Sequence, residues 1–378
     1  MDNKHIFICY NFYKNKRMNI FVDSFSRKKN YLGVDIGTAS IKLVELGLAG
    51  GKAELKNYGS LEVKGHLEKV NDAIQTSSLE AIDRDTAELL KTLVNNVNPG
   101  TKDAFASLPA FSAFTSLIEL PDMQDSETAQ AMEYQAQSLV PMPIDKVHLD
   151  WFRVGRGQDS NGVKQQQVFL VAVPKQQVNK YQIIFSDAGL NLKALELETV
   201  ASARLLTMGD SALTLIIDIG ARSTAVSVAQ NGLLLHSAQA DFAGSSLTQA
   251  ISRGLGINIQ RAEVLKKQKG LLGRGGEYEV STLMLPYLDV ILNEAKRVKE
   301  SYENAHSVKV GRAVLAGGGA NLLGLEERAS NALEIPAIKA EPFEGAVAYP
   351  KMLSPIVKEL GAPFSVALGL GIKDFNKQ

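Results

Sequence analysis

The sequence predicts an α/β fold in which two similar half-domains close on a phosphate-bearing ligand and the first carries an inserted α+β subdomain. Three turns support this prediction: Asp-x-Gly at 35–37, Asp-x-Gly at 218–220 and Gly-Gly-Gly at 317–319. Each Asp-x-Gly turn lies between two apolar segments, and the triple glycine follows a short apolar segment. One such turn is common in hairpins, so the prediction depends on the matched pair and on the order of the three.

The two Asp-x-Gly turns are suited to binding phosphate together with a metal ion. Glycine lets a backbone approach a ligand closely, and consecutive N–H groups can form an anion-binding concavity. The N–H groups that would form two facing concavities are those of Gly37, Thr38, Ala39, Gly220, Ala221 and Arg222. Asp35 and Asp218 are expected to hold a hydrated Mg²⁺, which favours carboxylates and keeps several waters. Lys42 lies one hairpin from Asp35 and can reach a phosphate as a point charge.

The triple glycine at 317–319 predicts a surface free of side chains on which a purine can lie, and residues 321–326 then begin a helix. The pattern differs from the dinucleotide-binding G-x-G-x-x-G, because no acidic residue follows a strand about twenty positions later. The chain also lacks the Walker lysine motif. The third turn therefore predicts an adenosine contact of another class of nucleotide-binding protein.

These turns, and the segment 32–46 in particular, resemble the actin-like ATPase superfamily and, within it, the PilM family of type IV pilus assembly, a relative of FtsA. The resemblance covers about residues 31–375 and implies an actin-like ATPase fold with ATP and Mg²⁺ as cofactors. It implies that Asp35 and Asp218 bind the metal ion and act in catalysis, and that Glu198, at the connecting helix, orients the attacking water. It implies that the phosphates contact Gly37, Thr38, Lys42, Gly220, Ser223 and Thr224. It also implies that adenosine contacts Gly317, Gly318 and Gly319, and that the ribose and adenine lie near Glu263 and Lys266.

Two of these assignments have alternatives in the sequence itself. Glu263 and Lys266 also suit a solvated helix face with an i,i+3 ion pair. Glu198 also suits the start of a surface helix.

The motifs divide the chain into six predicted parts. They are an N-terminal extension predicted to be disordered (1–30), a first half (31–103), an inserted α+β subdomain (104–197), a connecting helix (198–213), a second half (214–360, with a helical subdomain at about 241–309) and a C-terminal segment returning to the first half (361–378). Met18 is an alternative translation start to Met1. The insert has the predicted order strand, helix, strand, strand, helix, strand, and its position favours the FtsA and PilM type over actin, sugar kinases and chaperones. A longer helix is predicted at 287–306, with Leu288, Ile291, Leu292, Ala295 and Val298 facing inward.

Composition excludes several classes of protein. The 378 residues carry 41 Lys and Arg against 41 Asp and Glu, so the chain lacks the overall basic footprint of a nucleic-acid-binding protein. Cys9 is the only cysteine, which excludes an intramolecular disulfide. The five histidines show no metal-ligand spacing. No stretch reaches the roughly 18 uncharged apolar residues that a membrane helix needs.

The resemblance implies an ATP-binding cytoplasmic scaffold with slow or no ATPase activity, at the inner face of the bacterial inner membrane. Its implied partners are the cytoplasmic tail of PilN, other pilus platform and motor proteins, and optionally a second copy of the chain; membrane contact would come only through partners. An FtsA-like cell-division filament protein is the alternative. A small-molecule kinase is a further one, which would need a general base that Asp145, Asp150, Asp159 and Asp187 do not supply in a recognisable motif.

Overall fold

The computed structural model describes residues 30–63, 79–158, 162–272 and 278–375. The predicted N-terminal extension therefore lies outside the described residues except for its last position. The strands are β1 (Tyr31–Ile36), β2 (Ser40–Ala49), β3 (Lys52–Glu62), β4 (Asp103–Leu108), β5 (Phe114–Pro121), β6 (Val147–Gln158), β7 (Lys164–Pro174), β8 (Asn191–Leu197), β9 (Thr214–Ile219), β10 (Thr224–Gln230), β11 (Leu233–Ala240), β12 (Arg312–Ala316), β13 (Ala337–Lys339) and β14 (Val347–Ala348). The helices are α1 (Leu79–Val97), α2 (Asp125–Leu139), α3 (Lys175–Asp187), α4 (Glu198–Thr207), α5 (Gly244–Leu255), α6 (Ile259–Lys269), α7 (Tyr278–His306), α8 (Leu325–Leu333), α9 (Val357–Gly361) and α10 (Ser365–Gly371).

Two of the sheets repeat one topology, as the matched turns predict. The first has the order β14-β3-β2-β1-β4-β8 and the second β11-β10-β9-β12-β13. In each, the first three strands in sequence are antiparallel and the next two add in parallel. β14 extends the first sheet at its other edge. We call the parts built on the six-stranded and five-stranded sheets the first and second halves. The predicted fold of two similar halves is confirmed.

The hairpin between the first two strands of each half closes in the same way. Gly37 N donates to Ser40 O at 3.1 Å, and Gly220 N donates to Ser223 O at 3.1 Å. Both hairpins join antiparallel strands whose apolar residues are almost entirely buried. Identical turn hydrogen bonds place the two Asp-x-Gly turns at corresponding edges of the two sheets.

A third sheet, with the order β5-β7-β6, carries α2 on one face. Apolar side chains from all four elements share this core: Ile118, Leu120, Met132, Ala136, Val147, Val168 and Leu170. On the opposite face, Phe152, Phe169 and Val171 belong to the main core. The α3 residues Ile184 and Phe185 are buried in the same core. The chain leaves the first half after β4 and re-enters it at β8; both strands, although within the span predicted as the insert, pair in the six-stranded sheet.

Helices α4 and α10 cross in close contact where the two halves join. A Cβ built on Gly369 would lie 2.6 Å from the carbonyl carbon of Ala201, so only glycine allows this approach. Arg204 of α4 donates to Glu196 of β8 at 2.7 Å and to the Gly369 carbonyl oxygen at 2.9 Å, and both charged side chains are buried. Lys373 also contacts Glu196 at 3.2 Å. This ionic cluster joins the connecting helix to both the first sheet and the C-terminal helix.

Helix α7 begins at Tyr278, earlier than the predicted start at Tyr287. Pro286 lies inside the helix; proline removes one backbone hydrogen bond but leaves the helix able to continue where packing holds it. The predicted inward face is correct, since all five of its residues are buried: Leu288, Ile291, Leu292, Ala295 and Val298. Among the helices that the structure describes, none has the length and apolar character needed to cross a lipid bilayer.

Candidate functional site

A cavity of about 720 Å³ lies between the two halves and brings all three glycine turns together. The predicted site residues that line it are Asp35, Gly37, Thr38, Ala39, Lys42, Glu198, Gly220, Ser223, Glu263, Lys266, Gly317, Gly318 and Gly319. Thr224 is not among the lining residues; it is fully buried and its hydroxyl donates to the carbonyl oxygen of Phe242 at 2.7 Å. Asp218, the remaining predicted acid, also lines the cavity.

Asp35 is held by two neighbouring strands. It is the cross-strand partner of Lys42 on β2, and Lys42 Nζ lies 3.2 Å from Asp35 Oδ2. Ser107 Oγ, from β4, donates to Asp35 Oδ1 at 2.8 Å. Sequence reasoning missed Ser107 because its only link to the site is the parallel pairing of β4 with β1. The carboxylate of Asp35 is therefore fixed in orientation before any ligand arrives.

Asp218 occupies the corresponding position in the second half, but its surroundings differ. Its cross-strand partner is Ala225, where the first half has Lys42. Burial raises the pKa of Asp218 to about 6, the charge of Asp35 adds to this rise, and Lys42 partly offsets it. Lys42 thus acts on both aspartates, and the second half contributes no lysine at the position cross-strand from Asp218.

Glu198 begins α4 and faces this cavity, so its alternative interpretation as the start of a surface helix is wrong. Its Oε1 accepts a hydrogen bond from Ala110 N at 3.1 Å. Burial and the charges of Asp218 and Asp35 raise the pKa of Glu198 to about 8, although the Ala110 N–H and Lys42 act against the rise. Three carboxyl groups therefore share one region of the cavity.

This arrangement fits a hydrated divalent cation. Two of the acids, Asp35 and Asp218, belong to the twin turns themselves, and their mutual repulsion would be relieved by positive charge between them. In the described part of the chain, no cluster of three or more His, Cys, Asp or Glu side chains could enclose a metal ion. A small number of carboxylates completed by water is the coordination that Mg²⁺ prefers.

The amides of the twin turns are only partly available to a phosphate. The N–H groups of Gly37 and Gly220 already donate to Ser40 O and Ser223 O, so these two predicted ligand contacts are engaged inside their own turns. Thr38 and Ala39 follow Gly37 at the wall of the cavity. The predicted concavity is therefore shorter than the sequence indicated.

Positions 317, 318 and 319 are occupied by glycine for different physical reasons. Gly317 has φ +76°, and a Cβ on it would overlap Asp218 Oδ1 and lie 2.6 Å from the carbonyl oxygen of Ile219. A Cβ on Gly319 would lie 2.7 Å from Ile219 Cβ. Gly318 alone has open space at that position. The predicted surface free of side chains is thus centred on Gly318, while its two neighbours are glycine because the turn packs against β9.

Lys266 and Glu263 form the i,i+3 ion pair of the alternative interpretation, but within a partly buried network at the cavity and not on a solvated helix face. The Lys266 ammonium contacts Glu263 Oε2 at 2.7 Å, Thr248 Oγ1 at 2.8 Å and the Gly244 carbonyl oxygen at 2.9 Å. An ammonium has three donors, and all three are engaged. Burial lowers the pKa of Lys266; for Glu263, burial acts in the opposite sense, and Lys266 holds the pKa below its usual value. The pair fixes the start of α5 beside the cavity.

Comparisons with known proteins agree with this geometry. A family model described as type IV pilus assembly protein PilM matches residues 33–375. A solved structure described as the PilM-PilN type IV pilus biogenesis complex is 24% identical, with a TM-score of 0.76 over 92% of this chain and 99% of that one.

More distant structures share the fold. The ethanolamine utilization protein EutJ from Carboxydothermus hydrogenoformans is 18% identical, with a TM-score of 0.52 over 90% of each chain. A MamK double helical filament is 14% identical, with a TM-score of 0.51 over 90% of this chain and 97% of that one. The predicted actin-like fold is confirmed. The PilM family model matches most of the chain, which favours PilM over the alternatives of an FtsA-like protein and a kinase. The chain belongs to the PilM family of type IV pilus assembly proteins.

Proposed function

We propose that this protein is an ATP-binding scaffold of the type IV pilus machinery that binds the cytoplasmic tail of PilN and links the membrane platform to the pilus motor. The observation that carries the nucleotide part is the convergence of two acid-bearing hairpins and the triple glycine on one cavity of about 720 Å³. The partner is supported by membership of the PilM family and by similarity to a solved PilM-PilN complex.

The residues have complementary tasks toward a magnesium–nucleotide ligand. Lys42 supplies a point charge to a phosphate, and Asp35 and Asp218 would hold the ion through water. The ion would neutralise part of the negative charge of the phosphates. Gly318 leaves room for the base. Burial and the nearby acids raise the pKa of Glu198 to about 8 before any cation binds. A carboxyl group that keeps its proton near pH 7 is a poor general base toward water, which favours slow hydrolysis or none.

An extended tail has two places to bind. The three-stranded sheet ends in the edge strands β5 and β6, and added strands bind such edges through main-chain hydrogen bonds. The boundary between this sheet and the first half is the second place. Either one would hold the protein at the inner face of the inner membrane through its partner, where further platform and motor proteins, or a second copy, can assemble on it.

The partner role is tested by fluorescence anisotropy. A labelled peptide copying the PilN cytoplasmic tail from the same genome is titrated with this protein, with and without MgATP. Saturable binding is expected, and a shift in Kd on adding MgATP would show that the two ligands are coupled. Absence of binding in both conditions would count against the scaffold role.

The nucleotide role is tested separately by calorimetric titration of ATP with Mg²⁺. Asp218→Asn keeps the size of the side chain but removes a carboxylate, so Mg²⁺-dependent affinity is expected to fall at least about tenfold. Asp187→Asn, an exposed change at the end of α3, is the matched control and should leave the affinity unchanged. Equal ATP affinity in wild type and Asp218→Asn would refute the proposed metal site.

A further inference from the structure

The last residues of β4 connect the cavity to the three-stranded sheet. Ser107 donates to Asp35, and Ala110 donates to Glu198, so this short stretch is hydrogen-bonded to two of the three neighbouring acids Asp35, Asp218 and Glu198. The chain then forms a single 3₁₀ turn at Ala110–Ser112 and enters β5, an edge strand of the three-stranded sheet. A displacement of this stretch would therefore reach that sheet directly.

Glu198 is placed to control the stretch. β4 and β8 are parallel, and their last residues, Leu108 and Leu197, are cross-strand partners. Glu198 follows Leu197 directly, and the chain from Leu108 turns toward it through Pro109. The hydrogen bond between Glu198 and the Ala110 amide thus joins the two points at which the polypeptide leaves the first sheet, after β4 and after β8.

We propose that Glu198 is a positioning residue that reports occupancy of the cavity to the three-stranded sheet through its hydrogen bond with the Ala110 amide. A cation bound between Asp35 and Asp218 attracts the oxygen atoms of the Glu198 side chain, which lies in the same cavity, and favours its carboxylate form. Any shift of that carboxylate strains or releases the Ala110 N–H, and the 3₁₀ turn moves with it. Phe111, which is 65% exposed and lines the cavity, moves as part of the same turn.

The inference rests on the proposed nucleotide site. It adds that the nucleotide site and the three-stranded sheet regulate each other. Because coupling between two sites is reciprocal, a partner bound to the three-stranded sheet would change ATP affinity through the same bond. The bond predicts which substitutions remove the coupling and which preserve it.

Ala110→Pro removes the donor and leaves Glu198 intact. Proline is tolerated at the first position of a helical turn, and the preceding Pro109 has φ −58° and ψ 144°, which is the conformation required before a proline. Glu198→Ala removes the acceptor, and Glu198→Gln retains an acceptor oxygen without the charge. Glu303→Ala is the matched control, because Glu303 is a buried carboxylate that holds a backbone amide, Val310 N at 2.9 Å, in the second half.

Two readouts follow the three-stranded sheet in the full chain. Trp151, the only tryptophan, lies on β6 and packs against the core of that sheet, so its emission reports on this unit alone. Hydrogen exchange of the amides at 110–121 follows the turn and β5. Both are measured with and without MgATP, and calorimetry records ATP binding in each variant.

We expect MgATP to change Trp151 emission and exchange at 110–121 in wild type and in Glu303→Ala. Ala110→Pro should bind MgATP with wild-type affinity but lose both responses. Without nucleotide, Glu198→Ala should speed exchange of the Ala110 amide about tenfold or more, and Glu198→Gln should retain most of its protection.

A full response to MgATP in Ala110→Pro, or an unchanged Ala110 exchange rate in Glu198→Ala, would overturn the inference while leaving the proposed function intact. No calorimetric binding of MgATP to wild type would overturn both the nucleotide site and the coupling. The two failures are thus distinguished by the calorimetry.

Discussion

Replacing Asp218 with asparagine should stabilise the nucleotide-free protein at neutral pH although it destroys the metal site. The asparagine would keep the shape of the side chain without its charge, so the substitution isolates the cost of ionising a carboxyl beside Asp35. The pKa of Asp218 rises from 3.8 to about 6 in the folded protein. At ~1.4 kcal/mol for each pH unit, ionisation in the folded state costs about 3 kcal/mol at most. Solvent in the cavity screens this half-buried group, so a gain of about 1–3 kcal/mol is expected.

The sign of the pH dependence follows from the raised pKa. Below pH 3.8 the carboxyl is protonated in both the folded and the unfolded chain, so charge makes no difference between wild type and variant. As the pH rises through about 6, the folded wild type loses stability relative to the variant. The advantage of Asp218→Asn should therefore grow between about pH 4 and pH 6 and remain constant above that range.

The assay is urea denaturation in EDTA between about pH 4.5 and 8, with Asp187→Asn as an exposed control. In a parallel series without EDTA, MgATP at about 100 times the wild-type Kd should stabilise wild type by about 2.7 kcal/mol and Asp218→Asn, with its at least about tenfold lower affinity, by about 1.4 kcal/mol or less. The difference in stability between the two proteins should therefore narrow or reverse. Equal free energies of unfolding across the pH range, or a variant less stable at about pH 8, would refute the conclusion that ionising Asp218 beside Asp35 costs stability.

Three further substitutions test other parts of the structure. Gly317→Ala should destabilise the protein by at least about 2 kcal/mol because of its positive φ and the overlap with β9, whereas Gly318→Ala should change the urea midpoint little and instead raise the Kd for ATP. Lys266→Met should lower stability by about 2 kcal/mol even without nucleotide, since the partly buried Glu263 keeps only the exposed Lys267 at 3.4 Å; a change in ATP affinity alone would contradict this. Arg204→Met should cost about 3 kcal/mol by urea denaturation, because buried Glu196 keeps only its contact with Lys373, and a cost near zero would show that the cluster does not hold the α4–α10 crossing.

The local features of this protein were determined by the sequence alone. An Asp-x-Gly turn between apolar segments specifies a hairpin through neighbouring residues, so both turns and the cross-strand pairing of Asp35 with Lys42 follow from short-range chemistry. The repeated pattern also revealed that the two halves share a topology. Apolar periodicity likewise identified the buried face of α7, because helix geometry fixes which residues share a face.

Contacts between distant residues were decided only by the tertiary structure. Ser107 meets Asp35 across 72 positions, and Ala110 meets Glu198 across 88; no local pattern encodes either bond. The assignment of β4 and β8 to the six-stranded sheet depends on strand pairing, which the sequence of an isolated strand does not specify. The charge state of Glu198 likewise depends on folding, because its raised pKa arises from burial beside acids contributed by both halves.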